Sequence, residues 1–505
     1  MFMNKTLAAV CAVLVIASAS ARAEEWQAMG PRALGMGGAG VALSQGPVAS
    51  YWNPASLGLA TENAYGMQMP FGVHAALTGP VIAGANDLKN SYNAINACQG
   101  NPASCATPAE QAALQNNLNA ALVELNNPAN GLRVNADGGG DFKVGKLAFF
   151  ANGFLDAGAV PQIDLTHNQA TYNGEPGYNP NTSIQNNNSA LVVKGARDLE
   201  FGVGYGHEIP RVPGLYAGAN IKLMNVEVGY AKISVISANN GNSDIASQLK
   251  SSATTSSSVG VDVGLLWDVS RSFENVPLHP RIGITGRNLT NPKFNQSASA
   301  VANGVNGKYA INPQVRMGVA ISPFHWWNLA ADVDLTNNTT PIDGVDSRQL
   351  GVGTEFNVFN RSWINIPLRA GISKNLAESG SSTMLSLGGG LNFLHLIIDA
   401  SGTASPTRIN TQTQGKTTRI PQELGAAVQI SLLFGGSEES RHKKATDLDQ
   451  DPFPSTTPPP SAKPAGDLPP SQTDSIRKHA ADSQKELDQQ SAPTAPATEP
   501  PTLVQ

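Results

Sequence analysis

The chain has 505 residues, enough for about two to four ordinary domains or for one large barrel with appended segments. Only 14% of the residues are charged, 50 are glycine, and the net charge is −5. Lysines and arginines are scattered rather than clustered, which excludes a nucleic-acid surface as the organising feature.

In chain order, the first element is an export signal. Lys5 supplies a positive start, Leu7 to Ala17 is an apolar stretch too short to span a bilayer, and Ala21-Arg22-Ala23 is a small-residue cleavage site. The reading is a signal peptide at 1–23 and a mature chain from Glu24. Beyond it no stretch approaches the roughly 18 to 20 apolar residues of a transmembrane helix. Next, Gly35-x-Gly37-x-x-Gly40 matches the dinucleotide fingerprint in letters. It is rejected, because no buried strand precedes it and no βαβ unit surrounds it. Its glycines read instead as tight turns in a confined space.

At Tyr65 a beat of two begins. Tyr65, Met67, Met69, Phe71 and Val73 alternate with small or polar residues. The beat returns in segment after segment to Phe434, for example at Leu199–Tyr205, Val259–Trp267, Val315–Ile321 and Leu385–Phe393. It predicts an all-β membrane β-barrel of about fourteen antiparallel strands, greasy outside and polar inside. The strand at 143–154 is blurred and the one at 160–165 is weakly marked. A soluble sandwich also alternates. Connection lengths separate the two: short ones follow Phe154, Glu208, Asp268, Ser322, Val358 and Phe393, and long ones lie between them at 76–142, 166–197, 231–257, 290–312 and 403–421. Short periplasmic turns and long outer loops belong to a membrane barrel. Trp267, Phe324, Trp326, Trp327, Phe359, Trp363 and Phe393 sit beside the short turns, as an interfacial girdle would.

The first outer loop is predicted to be partly helical. Thr107-Pro108-Ala109-Glu110 is a capping box with Pro at the first helical position, so a helix should run from Pro108 to about Leu125. Ala112, Ala113, Leu118, Ala121, Leu122 and Leu125 would form one apolar flank, and a second helix should precede Cys98. The loop reads equally as a lid or partner-binding knob and as padding on the barrel rim. Cys98 and Cys105 read as a small-loop disulfide in an oxidising compartment. A redox or metal pair is the weaker alternative, since the spacing is not C-x-x-C and no histidine is near. At the far end, Glu423-x-Gly425-x-x-Val428-x-Ile430, running to Phe434, is similar to the C-terminal pattern read by the barrel-insertion machinery. From Gly435 to Gln505 the chain is Pro-rich, with few large apolar residues, and is expected to be a disordered periplasmic tail. A short polar helix at 475–490 is the one element it could hold. The tail is either a tether to a periplasmic or conjugation-apparatus partner or an inert solvated segment.

Parity places Lys222, Arg287, Arg316, Arg369, Glu200, Asp262, Asp332, Asp334, Glu355 and Asp399 in the lumen. Mixed signs favour pairing with each other and with a plug, the sharper alternative being a polar ligand path past it; an ion-selective porin would show more one-sided charge. No catalytic constellation is seen: histidines are dispersed without metal-ligand spacing, and no G-x-S-x-G is present. The chain reads as a non-enzyme with no cofactor and no metal; the weaker alternative is an outer-membrane lipase or protease whose catalytic groups converge from distant strands.

The segment Pro31-Arg32-Ala33-Leu34-Gly35-Met36-Gly37-Gly38-Ala39-Gly40-Val41-Ala42, then Ser50-Tyr51-Trp52-Asn53-Pro54-Ala55-Ser56-Leu57, carries a family resemblance. It resembles the N-terminal hatch of the FadL-type hydrophobic-compound transporters of the outer membrane. The related group called conjugal transfer protein TraF-like is more similar. The resemblance covers about 24–434, with the hatch its motif-specific part; the Pro-rich tail and the Cys98–Cys105 pair depart from it. It implies a plug at 24–60 inside a barrel at 61–434, with Gly35, Met36, Gly37, Gly38, Trp52, Asn53, Pro54 and Ala55 as hatch or gate elements. Locally, Asn53 can cap and Pro54 can preset a short turn, which would serve a gate or merely hold the plug's shape. Two functions are implied. One is a structural or accessory envelope component linked to conjugal plasmid transfer. The other is a gated passive channel for a hydrophobic small molecule. Expected partners are outer-membrane lipid, the insertion machinery and, through the tail, a periplasmic protein. Both termini are expected on the periplasmic side of the bacterial outer membrane.

Overall fold

The computed structural model describes residues 23–434 apart from 60–63, 80, 102–104, 106, 128–129, 172–173, 175–176, 235–244, 274, 306, 343, 362 and 414–415. Residues 1–22 of the segment read as a signal peptide, the segment 435–505 read as a tail, and the helix read at 475–490 lie outside the described residues.

Alternation closes the sheet. In Tyr65–Thr78 (β1) the apolar side chains from Tyr65 to Val73 are exposed, and Gly66, Gln68, Pro70 and Gly72 between them are buried. A face that exposes Phe71 by 55% cannot stay in water beside thirteen more like it; it belongs in lipid. The other strands are Gly131–Val144 (β2), Leu147–Gln162 (β3), Ala190–Glu208 (β4), Leu215–Ser234 (β5), Thr254–Asp268 (β6) and Arg281–Arg287 (β7). Then come Gln314–Phe324 (β8), Trp327–Asp334 (β9), Gln349–Asn360 (β10), Ile364–Asn375 (β11), Thr383–Phe393 (β12), Leu396–Ala404 (β13) and Glu423–Phe434 (β14). Each strand pairs antiparallel with its sequence neighbours. β14 pairs with β1, from Tyr65 opposite Phe434 to Ala76 opposite Glu423, so no edge is left open. Among the described residues no helix is long and apolar enough to cross a membrane, and the crossing is made by strands.

Two-residue turns at 145–146, 325–326 and 394–395 mark one end of the barrel, and long connections mark the other. Rings gather at the short-turn end. Phe324 stacks on Trp326 at 5.2 Å, Trp327 on Phe356 at 5.5 Å, and Trp363 meets Phe393 edge-on at 6.1 Å.

Three expectations are corrected. The long connection read as 76–142 ends at Asn130, where β2 begins; the blurred strands at 143–154 and 160–165 are the end of β2 and the single strand β3; and the turn read after Phe154 lies at 145–146. The reason is that the outward beat of β2 fades at Ala136, Gly138 and Gly140, which are too small to register as apolar. In the first long connection, helix α4 (Pro108–Leu125) buries Leu118, Ala121, Leu122 and Leu125 against α3 (Val81–Gly100), but Ala112 and Ala113 are exposed. Half-buried Leu114 starts that stripe, and the two alanines lie off it. The third concerns the N-terminus. Ala23–Glu24 pairs with Asn338–Thr339 in the connection between β9 and β10, at the long-loop end. Even strand number puts only Tyr65 and Phe434 at the same end; the segment ahead of Tyr65 threads the lumen from the opposite end.

Candidate functional site

Residues 25–59 fill the lumen as a plug built from short self-terminating turns. Helix α1 (Pro31–Gly35) starts on a proline and stops at Met36, after which Gly37 and Gly38 take φ of 69° and 88°. Helix α2 (Ala49–Trp52) ends at Asn53. The Asn53 side chain accepts from Ala55 N at 3.1 Å and caps the 3-10 turn Pro54–Gly58. Trp26, Met29, Val41, Tyr51 and Trp52 form the plug's own core, closed against Phe154 of the wall. Tyr51 Oη donates to Gln27 O at 2.6 Å and Trp52 Nε1 to Met29 O at 3.0 Å, so the rings pin the backbone as well as fill space.

The wall is shaped to receive this backbone. A Cβ on Gly351, Gly353 or Gly371 would strike the main chain of Met36 or Gly37, and one on Gly206 or Gly218 would strike Pro54. The glycine-rich run around Gly35 is therefore pressed against a glycine-lined wall. Met36, Trp52, Asn53 and Ala55 are fully or almost fully buried there.

Lumen charges complete the lock. Arg32 of the plug grips Glu355 with two bonds, Nε at 2.9 Å and Nη2 at 2.7 Å. Arg369 donates to the same carboxylate at 2.7 Å and to Asp399 at 2.6 Å. Asp332 Oδ2 accepts from Gly40 N and Val41 N at 2.7 and 2.8 Å. Lys222 bridges Glu200 at 2.8 Å and Asp262 at 3.2 Å, and Arg316 donates to Asp334 at 2.5 Å. Arg287 meets Glu200 at 3.3 Å and lies 4.1 Å over the Tyr51 ring. Asn53 Nδ2 donates to Leu265 O at 3.0 Å, and Asn220 Nδ2 to Ser50 O at 2.8 Å. The inward residues from five or more strands thus meet one short segment.

Sequence reading missed several participants. Glu25 is held by Ser347 at 2.7 Å, Gln349 at 3.0 Å and Arg133, which also bonds Asp156 at 3.0 Å. Arg133 and Asp156 were hidden because β2 and β3 were misplaced; the signal available was parity along 131–144. Above the plug, toward the long loops, lies a chamber of about 360 Å³. Its floor includes Trp26, Gln27, Leu34 and Gly38, and Asn135 and Asp137 stand in one wall.

Outside the membrane span, Cys98 at the end of α3 and Cys105 ahead of α4 are joined by a disulfide, with Cα atoms 5.8 Å apart. The α4 capping box is formed: Glu110 N donates to Thr107 Oγ1 at 3.2 Å, and the hydrogen bonds from Thr107 hold the Glu110 carboxyl below its ordinary range. In the connection between β3 and β4, partial burial would raise Asp164, but hydrogen bonds from Thr166, Asn188 and His167 outweigh it and hold this carboxyl well below the usual range. Among the described residues no three His, Cys, Asp or Glu side chains converge as a metal site.

A closed fourteen-stranded barrel with an apolar belt and a bonded plug is a plugged membrane barrel of the outer-membrane type. The chain belongs to the family described as F plasmid transfer operon, TraF, protein, whose profile matches residues 50–334, from the Ser50-Tyr51-Trp52-Asn53 turn to the end of β9. No curated protein sequence matches it. Among solved structures it is similar to the toluene transporter TodX of Pseudomonas putida, at 13% identity and a TM-score of 0.44, covering 82% of this chain and 100% of that one. The toluene transporter TbuX of Ralstonia pickettii is similar at 15% identity and 0.42, covering 80% and 98%. A Pseudomonas aeruginosa FadL homologue is similar at 12% and 0.39, covering 82% and 100%.

Proposed function

We propose that the protein is an accessory envelope component of conjugal plasmid transfer whose plug keeps the lumen shut. One observation carries the closed-lumen part: the plug is bonded to the wall around its circumference, at Glu355, Asp332, Leu265, Asn220, Leu155 and Gln68, and the Glu355, Asp332, Asn220 and Gln68 side chains are buried. Withdrawing the plug would leave buried acceptors such as the Asp332 carboxylate without their donors, so the plug does not leave cheaply. Membership of the TraF family supports the transfer role. In this reading the short-turn end faces the periplasm, and the segment after Phe434 reaches toward a periplasmic or conjugation-apparatus partner. The test is plasmid transfer from a donor strain lacking the protein. Transfer should fall and be restored by the full chain; unchanged transfer would sink the reading.

A second reading, a gated passive channel for hydrophobic small molecules, is favoured by the apolar share of the chamber, with Trp26, Leu34, Ile342 and Met384 in its lining. It predicts slower growth on such compounds in the deletion strain while transfer is unaffected.

A further inference from the structure

The chamber above the plug is not neutral in its hydrogen bonding. Asp137 is 8% exposed and lines it, yet among the described residues no donor reaches its Oδ2. Asn135, two residues earlier on the same face of β2 and 6% exposed, turns its Nδ2 toward Glu25 at 3.4 Å; its Oδ1 therefore faces away and has no donor among the described residues. On the floor, Gln27 gives its Nε2 to Leu155 O at 3.2 Å, which leaves Oε1 in the same condition. All three are acceptors. The cations in the lining are already bound: Arg133 holds Glu25 and Asp156, and Arg316 holds Asp334. Glu423, in the β14 wall, has His74 Nε2 3.8 Å from its carboxylate. Asp332 Oδ1 is a further acceptor without a donor among the described residues, and Trp26 Nε1 is a lining donor in the same condition, so acceptors outnumber donors. Trp26 and Leu34 supply apolar surface beside these groups.

Buried acceptors without donors are expensive, and a buried carboxylate without a cation is more so. Their concentration on one cavity, with an apolar floor and a volume in the range of small-molecule sites, defines a complementary guest. We infer that the chamber binds a small organic cation, an ammonium group on an apolar body, with the ammonium donating to Asp137 and Asn135 and the body lying on Trp26. A metal ion fits poorly, since no cluster of three ligating side chains is formed among the described residues. The inference is independent of the role in plasmid transfer.

The test is calorimetric titration of the full chain, folded in non-ionic detergent, with benzylammonium, benzyl alcohol and benzoate. Benzylammonium should bind more tightly than benzyl alcohol, and benzoate should bind least. Asp137→Asn should weaken benzylammonium by about tenfold, the worth of one charged hydrogen bond, and leave benzyl alcohol unchanged. Glu423→Gln, on another strand, should weaken benzylammonium by less and serves if the first variant does not fold. Equal binding of the three probes, no binding of benzylammonium, or no effect of either substitution would overturn the inference. A proton taken up by Asp137 in place of a guest gives that same lack of preference.

Discussion

Two regions of the lumen are lined by the same kinds of residue and are used differently. In the ion-pair clusters, Glu355 and Glu200 meet a guanidinium or ammonium within 3.3 Å. In the chamber wall, Asp137 and Asn135 keep acceptors without donors among the described residues. The difference lies in what stands opposite. Where a plug or wall group faces them, polar lumen groups become structural bonds, and where none does, the same chemistry remains available to a guest. A charged lumen residue is therefore defined by what lies opposite it, not by its own type.

The sharpest way to break this contrast is to remove the plug. Deleting residues 25–59 should raise single-channel conductance in planar bilayers by on the order of tenfold or more, because a fourteen-stranded barrel is wide enough for water once emptied. No change would mean the lumen is closed by something else. Next in size is Lys222→Met, which keeps the volume but leaves Glu200 and Asp262 facing each other without their bridge. A loss of about 3–5 kcal/mol is expected in urea unfolding from detergent, whereas a chamber substitution such as Asn135→Ala should cost far less. Asn53→Ala removes the cap on Ala55 and the bond to Leu265 O, and should cost about 1–2 kcal/mol in the same assay.

Two smaller tests act on the long-loop side alone. Cys98→Ser should make the first long connection more sensitive to protease, by about 2 kcal/mol of local opening, without changing conductance. Lowering pH should loosen the connection between β3 and β4. The Asp164 carboxyl is held below its ordinary value, so its contribution is complete above about pH 3.9 and is lost as pH falls further. Amide exchange over 163–189 reads this directly, and Asp164→Asn should abolish the pH dependence.

The barrel was legible because its evidence is local. Tyr65 to Val73 shows its outward face in nine residues, and parity alone sent Lys222, Glu200 and Asp262 inward. Register then explains their meeting: Lys222 lies opposite Gly202 on one side and Gly260 on the other, each two residues from a carboxylate. β2 was lost where Gly138, Gly139 and Gly140 silence the beat, and Arg133 and Asp137 were lost with it. The plug's turns were legible one by one, since Pro31, Pro54 and Asn53 act on adjacent residues. Their destinations were not.

Sequence by itself determined the alternation, the closed antiparallel sheet it requires, and which side chains face the lumen, because period two is a property of the extended chain. Tertiary structure decided the direction in which the N-terminal segment threads the barrel, the partner of each lumen charge, and the place where partners run out. Arg32 and Glu355 stand 323 residues apart and meet only because the closed sheet brings β10 around to the plug. No local signal encodes such a contact; it exists once the barrel has closed and the plug has a wall to lean on.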